Sequence, residues 1–146
     1  MNEANAALVP AIQAWLEAFL AQRGAVAGSV HCLRGDWLEL AAQVRLPPPV
    51  VEKTRQIPKG KGMAGLAWER GRVVSTCNLK TDQSGDVRPG AKAVDAGAAL
   101  AIPVLDAAGG VRAVVGIAFA GEREMSGQEQ AEFERAAQAL PSDVAL

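Results

Sequence analysis

The sequence predicts an α+β fold within the broad α/β class, with an antiparallel sheet of five to six strands and an amphipathic helix at each end of the chain. Apolar residues recur at helical spacing near both ends. Between them lie segments with strand-like alternation or continuous apolar character, joined by glycine-containing turns. A chain of 146 residues has the usual length of one domain. We therefore expect residues 1–146 to form a single domain.

The first predicted element is an amphipathic helix that ends near Gly24, a residue type that commonly terminates helices. Polar side chains such as Gln13 and Glu17 fall elsewhere on the helical wheel. The apolar positions that define its buried stripe are Leu8, Ile12, Trp15, Leu16, Phe19 and Leu20.

A β-hairpin follows, because the apolar period changes to two and the turn 34–36 interrupts it. We expect one face of the second strand to be apolar and the other to be solvated; the apolar residues are Leu38, Leu40, Ala42, Val44 and Leu46. In the first strand His31 and Cys32 alternate, so they should face opposite sides. We expect His31 on the outer face of the sheet or beneath the first helix.

Two short helices are predicted next, over Val50 to Arg55 and over Met63 to Arg70, separated by a proline- and glycine-containing break. Gly71 should end the second of them. A short strand follows over Val73 to Cys77. The stretch from Leu79 to Gly97 is polar and much longer than an ordinary connection, which is typical of a lid or a binding loop.

The last part of the chain predicts a buried hairpin and a closing helix. Ala98 to Leu105 and Val111 to Phe119 are apolar at nearly every position, so both strands should lie side by side in the middle of the sheet. Ser126 and Glu129 have the spacing of a capping box, and apolar residues at helical intervals follow as far as Leu140.

Composition excludes several classes of function. Fifteen basic and sixteen acidic residues give a net charge of −1, so no nucleic-acid partner is expected. One His and two Cys predict neither a metal site nor a disulfide framework, and we expect no cofactor. The sequence contains no long uncharged apolar segment and no leader pattern, so we expect a soluble cytoplasmic protein without membrane contact. Gly60-Lys61-Gly62-Met63 lacks the Ser or Thr that a phosphate-binding P-loop needs.

The order of these motifs resembles the GAF family. The segment from Ile57 to Val74 has the family's Pro-Gly entry, a Gly-x-x-Gly in a short helix and a glycine before a strand. The Asn78-Leu79 pair resembles the start of the variable loop. The apolar strands around Pro103 and Gly116 and the closing helix also resemble the family's, so the similarity covers roughly residues 8 to 140.

The resemblance implies a ligand pocket between the sheet and the elements that cover it, here the two short helices and the Leu79 to Gly97 loop. Arg88 ranks first among the candidate binding residues, because the Pro-Gly that follows stiffens the turn beside its guanidinium. Solvated loop charges and a buried, inert or redox-sensing thiol at Cys77 are the alternatives that the sequence leaves open. The further candidates are Asp86, Lys92, Asp95, Trp68 and Cys77.

One enzymatic branch of the family, the free methionine-(R)-sulfoxide reductases, is similar through Gly-Lys-Gly and through an Ala-x-Asp-Ala segment. Where that branch places cysteines, this sequence has Ala64 and Val94, which cannot attack a sulfoxide. We therefore expect a non-catalytic GAF sensory module that binds a small molecule or a protein partner and signals as a homodimer or through that partner. A reductase-like enzyme and a ligand-free docking scaffold are the alternatives.

Overall fold

The computed structural model describes residues 9–76, 97–121 and 123–142, and these contain four helices and one six-stranded antiparallel sheet. The strand order across the sheet is β3-β2-β1-β6-β5-β4, so β1 and β6 are the two central strands. In chain order the elements are α1 Pro10–Arg23, β1 Ala27–Arg34, β2 Trp37–Val44, α2 Pro48–Lys53, β3 Gln56–Pro58, α3 Gly62–Arg70, β4 Val74–Thr76, β5 Ala99–Leu105, β6 Val111–Ala118 and α4 Gly127–Ala137.

Both predicted end helices are present, and they pack on the same face of the sheet. Gly24 ends α1 in the left-handed conformation, and the Ser126 side chain caps α4 by accepting a hydrogen bond from the Glu129 backbone N–H at 3.0 Å. The Arg23 guanidinium lies 4.2 Å from the ring centroid of Phe19 in α1 and 5.9 Å from that of Phe133 in α4. Such cation–π contacts link the C-terminal end of α1 to the middle of α4.

A β-bulge in β2 changes which residues share a face. Val30 pairs with Ala42 and His31 pairs with Leu40, so Ala41 is an extra residue between them. Leu38 consequently packs on the face opposite α1, whereas Ala41 and Ala42 pack beneath α1. The prediction that Leu38, Leu40, Ala42 and Val44 share one apolar face is therefore wrong.

The second face of the sheet carries α2 and α3. Both predicted short helices are confirmed, with α2 starting two residues earlier than predicted and Gly71 ending α3 in the left-handed conformation. The segment before α3, predicted only as a break, also forms the short strand β3, which pairs with Trp37–Glu39. A Cβ at Gly65 would lie 2.6 Å from the Pro58 carbonyl oxygen, so a glycine lets α3 approach β3 this closely.

The buried hairpin is also confirmed. β5 and β6 pair along their length, and residues 99–104 of β5 are all buried. β6 is covered on both sides because it lies between β1 and β5. In the part of the chain that the structure describes, none of the helices has the length and apolar character required to cross a bilayer.

Candidate functional site

Five of the six predicted binding residues, Cys77, Asp86, Arg88, Lys92 and Asp95, lie outside the described residues, as does most of the Leu79 to Gly97 loop. The sixth, Trp68, is a partly buried residue of α3. Its ring packs against the cluster formed by Leu38, Ile57, Ala67, Val74, Ala101 and Val114, and the Lys59 ammonium lies 5.6 Å from its centroid. A role for Trp68 in ligand binding stays a prediction.

The sheet face below α2 and α3 is built mostly from small residues, and we call this set the floor. Alternation along β1, β6 and β5 places one side chain in two on this face, and the cross-strand pairs align them in rows. Three polar or small groups, Ser29, His31 and Gly116, occupy its centre. The full set on these three strands is Ala27, Ser29, His31, Ala99, Ala101, Pro103, Val114, Gly116 and Ala118.

The Ser29–Gly116 pair is the most open part of the floor. Both residues are partly exposed although they lie opposite each other on the two central strands. On the other face of β1 the flanking Gly28 and Val30 are buried, with Leu20 of α1 packed close to Gly28. A Cβ at Gly116 would meet the Ser29 hydroxyl at 3.0 Å, and no described atom of α2 or α3 lies within 4 Å of it. Solvent therefore reaches this pair from the floor side.

Apolar side chains from the covering helices stand on either side of this opening. Val50 of α2 packs with Ala27, Ala99 and Ala118 at one end of the floor. Ala67 of α3 packs with the cluster that contains Ala101 and Val114. Met63, the second residue of α3, packs against both groups. We call this opening over Ser29 and Gly116 the recess. Apolar flanks around a polar centre are the usual character of a small-molecule site.

His31 lies on the floor next to Ser29 and is buried there, so the expectation that it faces outward or sits beneath α1 is wrong. The alternation with Cys32 is confirmed, because Cys32 packs in the core beneath α1. The His31 ring is only 3% exposed, and Nε2 lies 2.7 Å from the Thr54 carbonyl oxygen after α2. Burial lowers the pKa of His31 to about 4, and the hydrogen bond to Thr54 opposes that decrease.

The polar groups at this opening are uncharged at neutral pH. His31 is neutral at pH 7 because its pKa lies well below that value. The Ser29 hydroxyl has no hydrogen-bond partner among the described residues, so no activated Ser–His pair is formed there. No group of three His, Cys, Asp or Glu side chains in residues 9–76, 97–121 and 123–142 is placed to hold a metal ion. Ala64 contributes a methyl group beside the cluster under α3.

Reasoning from the sequence missed Ser29, His31 and Gly116 as site residues. The available signal was the pair of polar residues at alternate positions of an otherwise apolar strand, which places both on one face. Their meeting with Gly116 required the pairing of β1 with β6, which no local pattern specifies.

Comparison with known proteins identifies the fold. No family model matches the sequence, and no curated protein matches it significantly. Several solved structures are similar. The GAF domain of a phosphoenolpyruvate-protein phosphotransferase from Coxiella burnetii has a TM-score of 0.73 at 20% identity, covering 94% of this chain and 83% of that one.

Free methionine-R-sulfoxide reductases are similar as well. The type II enzyme from Thermoplasma acidophilum gives a TM-score of 0.67 at 18% identity, covering 86% of this chain and 84% of that one. The Neisseria meningitidis enzyme, solved in complex with its substrate, gives 0.68 at 16% identity, covering 96% and 89%. The curled six-stranded antiparallel sheet and its helices match those of these neighbours. The chain is therefore a GAF-fold domain.

Proposed function

We propose that this chain is a non-catalytic GAF sensory module that binds a small molecule in the recess between the floor and helices α2 and α3. The observation that carries the proposal is the partly exposed Ser29–Gly116 pair in the middle of the sheet. Central strands of a sheet covered on both faces are normally sealed by side chains, because an unfilled space forfeits packing contacts. A small molecule bound over these strands would supply the packing contacts that the opening lacks.

The residues around the opening support a ligand of modest size. Ser29 and Gly116 add little bulk above the strands, while Val50 and Met63 offer apolar contact from the helices beside them. Arg88, Asp86, Lys92 and Asp95, from the long polar loop, would contact the outer part of the ligand. Trp68 belongs to helix α3, and Cys77 precedes the loop in sequence.

A regulatory role rather than a reductase activity is supported by Ala64, which occupies one of the two positions where the similar enzymes carry a thiol. Val94 stands at the other. Without those cysteines the protein should not turn over free methionine-(R)-sulfoxide in a thiol-recycling assay. Turnover that is lost in Cys77→Ser would instead identify the chain as a reductase.

Helices α1 and α4 are the proposed output surface, through a homodimer or a protein partner. They pack directly on the opposite side of the strands that form the floor, with Val30 and Val115 beneath them. A ligand that shifts β1 or β6 would therefore alter the packing of both helices. Sedimentation with and without ligand would detect a resulting change in assembly.

The recess is tested by NMR with a library of small soluble fragments. We expect binders to shift the backbone amide signals of Ala27, Ser29, Gly116 and Ala118. A fragment at a hundred times its Kd should stabilise the protein by about 2.7 kcal/mol in thermal unfolding.

Ser29→Leu should remove these effects by filling the space over Gly116. Ser75→Leu makes the same change at an exposed position of β4 and should leave them intact. The proposal fails if no fragment shifts the floor amides of the unmodified protein, or if Ser29→Leu binds as well as Ser75→Leu. A ligand-free scaffold would then be the better description.

A further inference from the structure

Helix α3 and the residues next to it form a positively charged surface. Between positions 59 and 72 the sequence has four basic residues and one acidic residue, Glu69, which gives this segment a net charge of +3 in a chain whose net charge is −1. All four basic side chains are exposed. We call them the basic surface, and they are Lys59, Lys61, Arg70 and Arg72.

The cations of the basic surface extend along the whole of α3. Lys61 directly precedes the helix, Arg70 is its last residue, and Arg72 follows it. The Lys59 ammonium lies between these ends, 5.6 Å from the ring centroid of Trp68 in the second half of the helix. Nine helical residues at about 1.5 Å each make α3 about 13 Å long. A single small anion therefore cannot contact both ends.

The stability of α3 does not explain the charge at its first end. A helix N-terminus carries a partial positive charge, so acidic residues stabilise it and cations destabilise it. Lys61 is nevertheless the N-cap of α3, its side chain makes no capping hydrogen bond, and the first turn contains no acidic residue. Arg70, in the last turn, has the favourable sign. A local feature that opposes stability in this way is typical of a functional surface.

The number of cations and the packing of Trp68 favour an acidic protein over a nucleic acid. Proteins that bind duplex DNA commonly contact about six to ten phosphates, more than the four cations of the basic surface could neutralise. Single strands are bound largely by stacking on accessible aromatic rings. Trp68 is the aromatic residue of α3, and its ring packs against the cluster that contains Ala67 and Val114.

We propose that the basic surface is a docking site for an acidic segment of a partner protein. An extended chain rises about 3.3 Å per residue, so about four residues of such a segment match the length of α3. Exposed ion pairs contribute little individually, so affinity requires several of them and depends on salt. The proposal does not depend on the recess, because it uses exposed charges of α3 and none of the floor residues.

Fluorescence anisotropy with labelled probes tests the chemistry of the partner. The probes are a peptide of repeated Glu-Ser units, a peptide of equal length with repeated Lys-Ser units, and an oligothymidylate. We expect the Glu-Ser peptide to bind at low salt, to bind more tightly than the other two probes, and to be released as the salt concentration is raised. Free glutamate should compete only at a much higher concentration than unlabelled Glu-Ser peptide.

Charge reversals at the two ends of α3 locate the site. Lys61→Glu and Arg72→Glu should each weaken binding of the Glu-Ser peptide about threefold or more, because attraction is replaced by repulsion. Arg135→Glu makes the same change in net charge at an exposed position of α4 and should leave the affinity unchanged. Lys61→Glu also places a favourable charge at the N-terminus of α3, so its melting temperature should not decrease and lost binding cannot reflect unfolding.

Several results would overturn this inference. The first is no binding of the Glu-Ser peptide at low salt, or equally tight binding of the Lys-Ser peptide. Unchanged affinity in both α3 variants, or an equal loss in Arg135→Glu, would place the contact elsewhere. Tighter binding of the oligothymidylate would indicate a nucleic-acid partner, and competition by free glutamate at the concentration of the peptide would indicate a site for one small anion. The fragment titration of the recess is unaffected by each of these results.

Discussion

Ser29 and His31 are polar side chains in the middle of a central strand whose other residues are mostly apolar. The unsatisfied Nδ1 of His31 is expected to cost about 1–3 kcal/mol of folding free energy. Apolar residues at the same positions would be more stabilising if packing were their only role. Groups that reduce stability in this way are concentrated at binding and catalytic sites.

The stability of the protein should depend on pH through His31. Its pKa is about 4 in the folded state and about 6.5 when unfolded, so protonation favours the unfolded chain. The His31 contribution is complete above about pH 6.5, falls as the pH decreases to about 4, and is then constant. The gap between the two pKa values corresponds to about 3 kcal/mol.

Urea unfolding of the unmodified protein and of His31→Phe across this pH range measures the effect. We expect the difference in unfolding free energy between the two proteins to change by about 3 kcal/mol between pH ~7.5 and pH ~4, in the direction that favours the variant at low pH. Carboxylates elsewhere titrate in both proteins, so their contribution cancels. A difference that stays constant with pH would show that His31 is not buried in neutral form.

At the scale of elements, α1 also protects an open sheet edge. β3 covers only the first part of β2, and the Gln13 side chain of α1 meets the backbone farther along. Its Nε2 donates to the Gln43 carbonyl at 2.9 Å and its Oε1 accepts from the Gln43 N–H at 3.1 Å. The side-chain amide thus takes the place of a neighbouring strand.

Gln13→Ala should therefore destabilise the protein by about 1–3 kcal/mol, since two hydrogen bonds of about 0.5–1.5 kcal/mol each are lost. Gln22→Ala, at an exposed position of the same helix, is the matched control and should change stability by less than about 0.5 kcal/mol. Chemical denaturation provides both values. Equal effects of the two substitutions would show that the edge contact contributes nothing.

β6 should tolerate no charge on its buried faces. Ile117 is 2% exposed and packs beneath the end helices, so Ile117→Asp would bury an unpaired carboxylate. We expect a loss of about 4 kcal/mol or more, measured by thermal and chemical unfolding. Leu105→Asp introduces the same charge at an exposed position of the neighbouring strand and should be mild. An Ile117→Asp protein that melts like the unmodified one would contradict the central position of β6.

The sequence predicts elements of this fold better than it predicts their pairing. Helix α4 is marked by the local capping pattern of Ser126 and Glu129, and the β5–β6 hairpin by its continuous apolar runs. The bulge at Ala41 and the three-residue strand β3 carry no such pattern, because both depend on the partner strand. The centre of the site was missed for the same reason, since Ser29 and Gly116 meet only through long-range pairing.

At the scale of the whole molecule, the two faces of the sheet differ in character. The face with α1 and α4 contains most of the buried apolar core, whereas the face with α2 and α3 holds small and polar residues at its centre. Neighbouring residues of β1 point to opposite faces of the sheet. Cys32 packs in the core beneath α1, and His31 lies on the floor. A displacement of β1 would therefore be felt on both faces of the sheet.

The most direct test is a crystal structure of the protein soaked with small neutral amides, alcohols and carboxylates. The account predicts a bound molecule in contact with the Gly116 backbone and hydrogen-bonded to the Ser29 hydroxyl, between the floor and helices α2 and α3. A protein side chain that fills the space over Gly116 in every crystal, with none of the soaked compounds bound there, would contradict it.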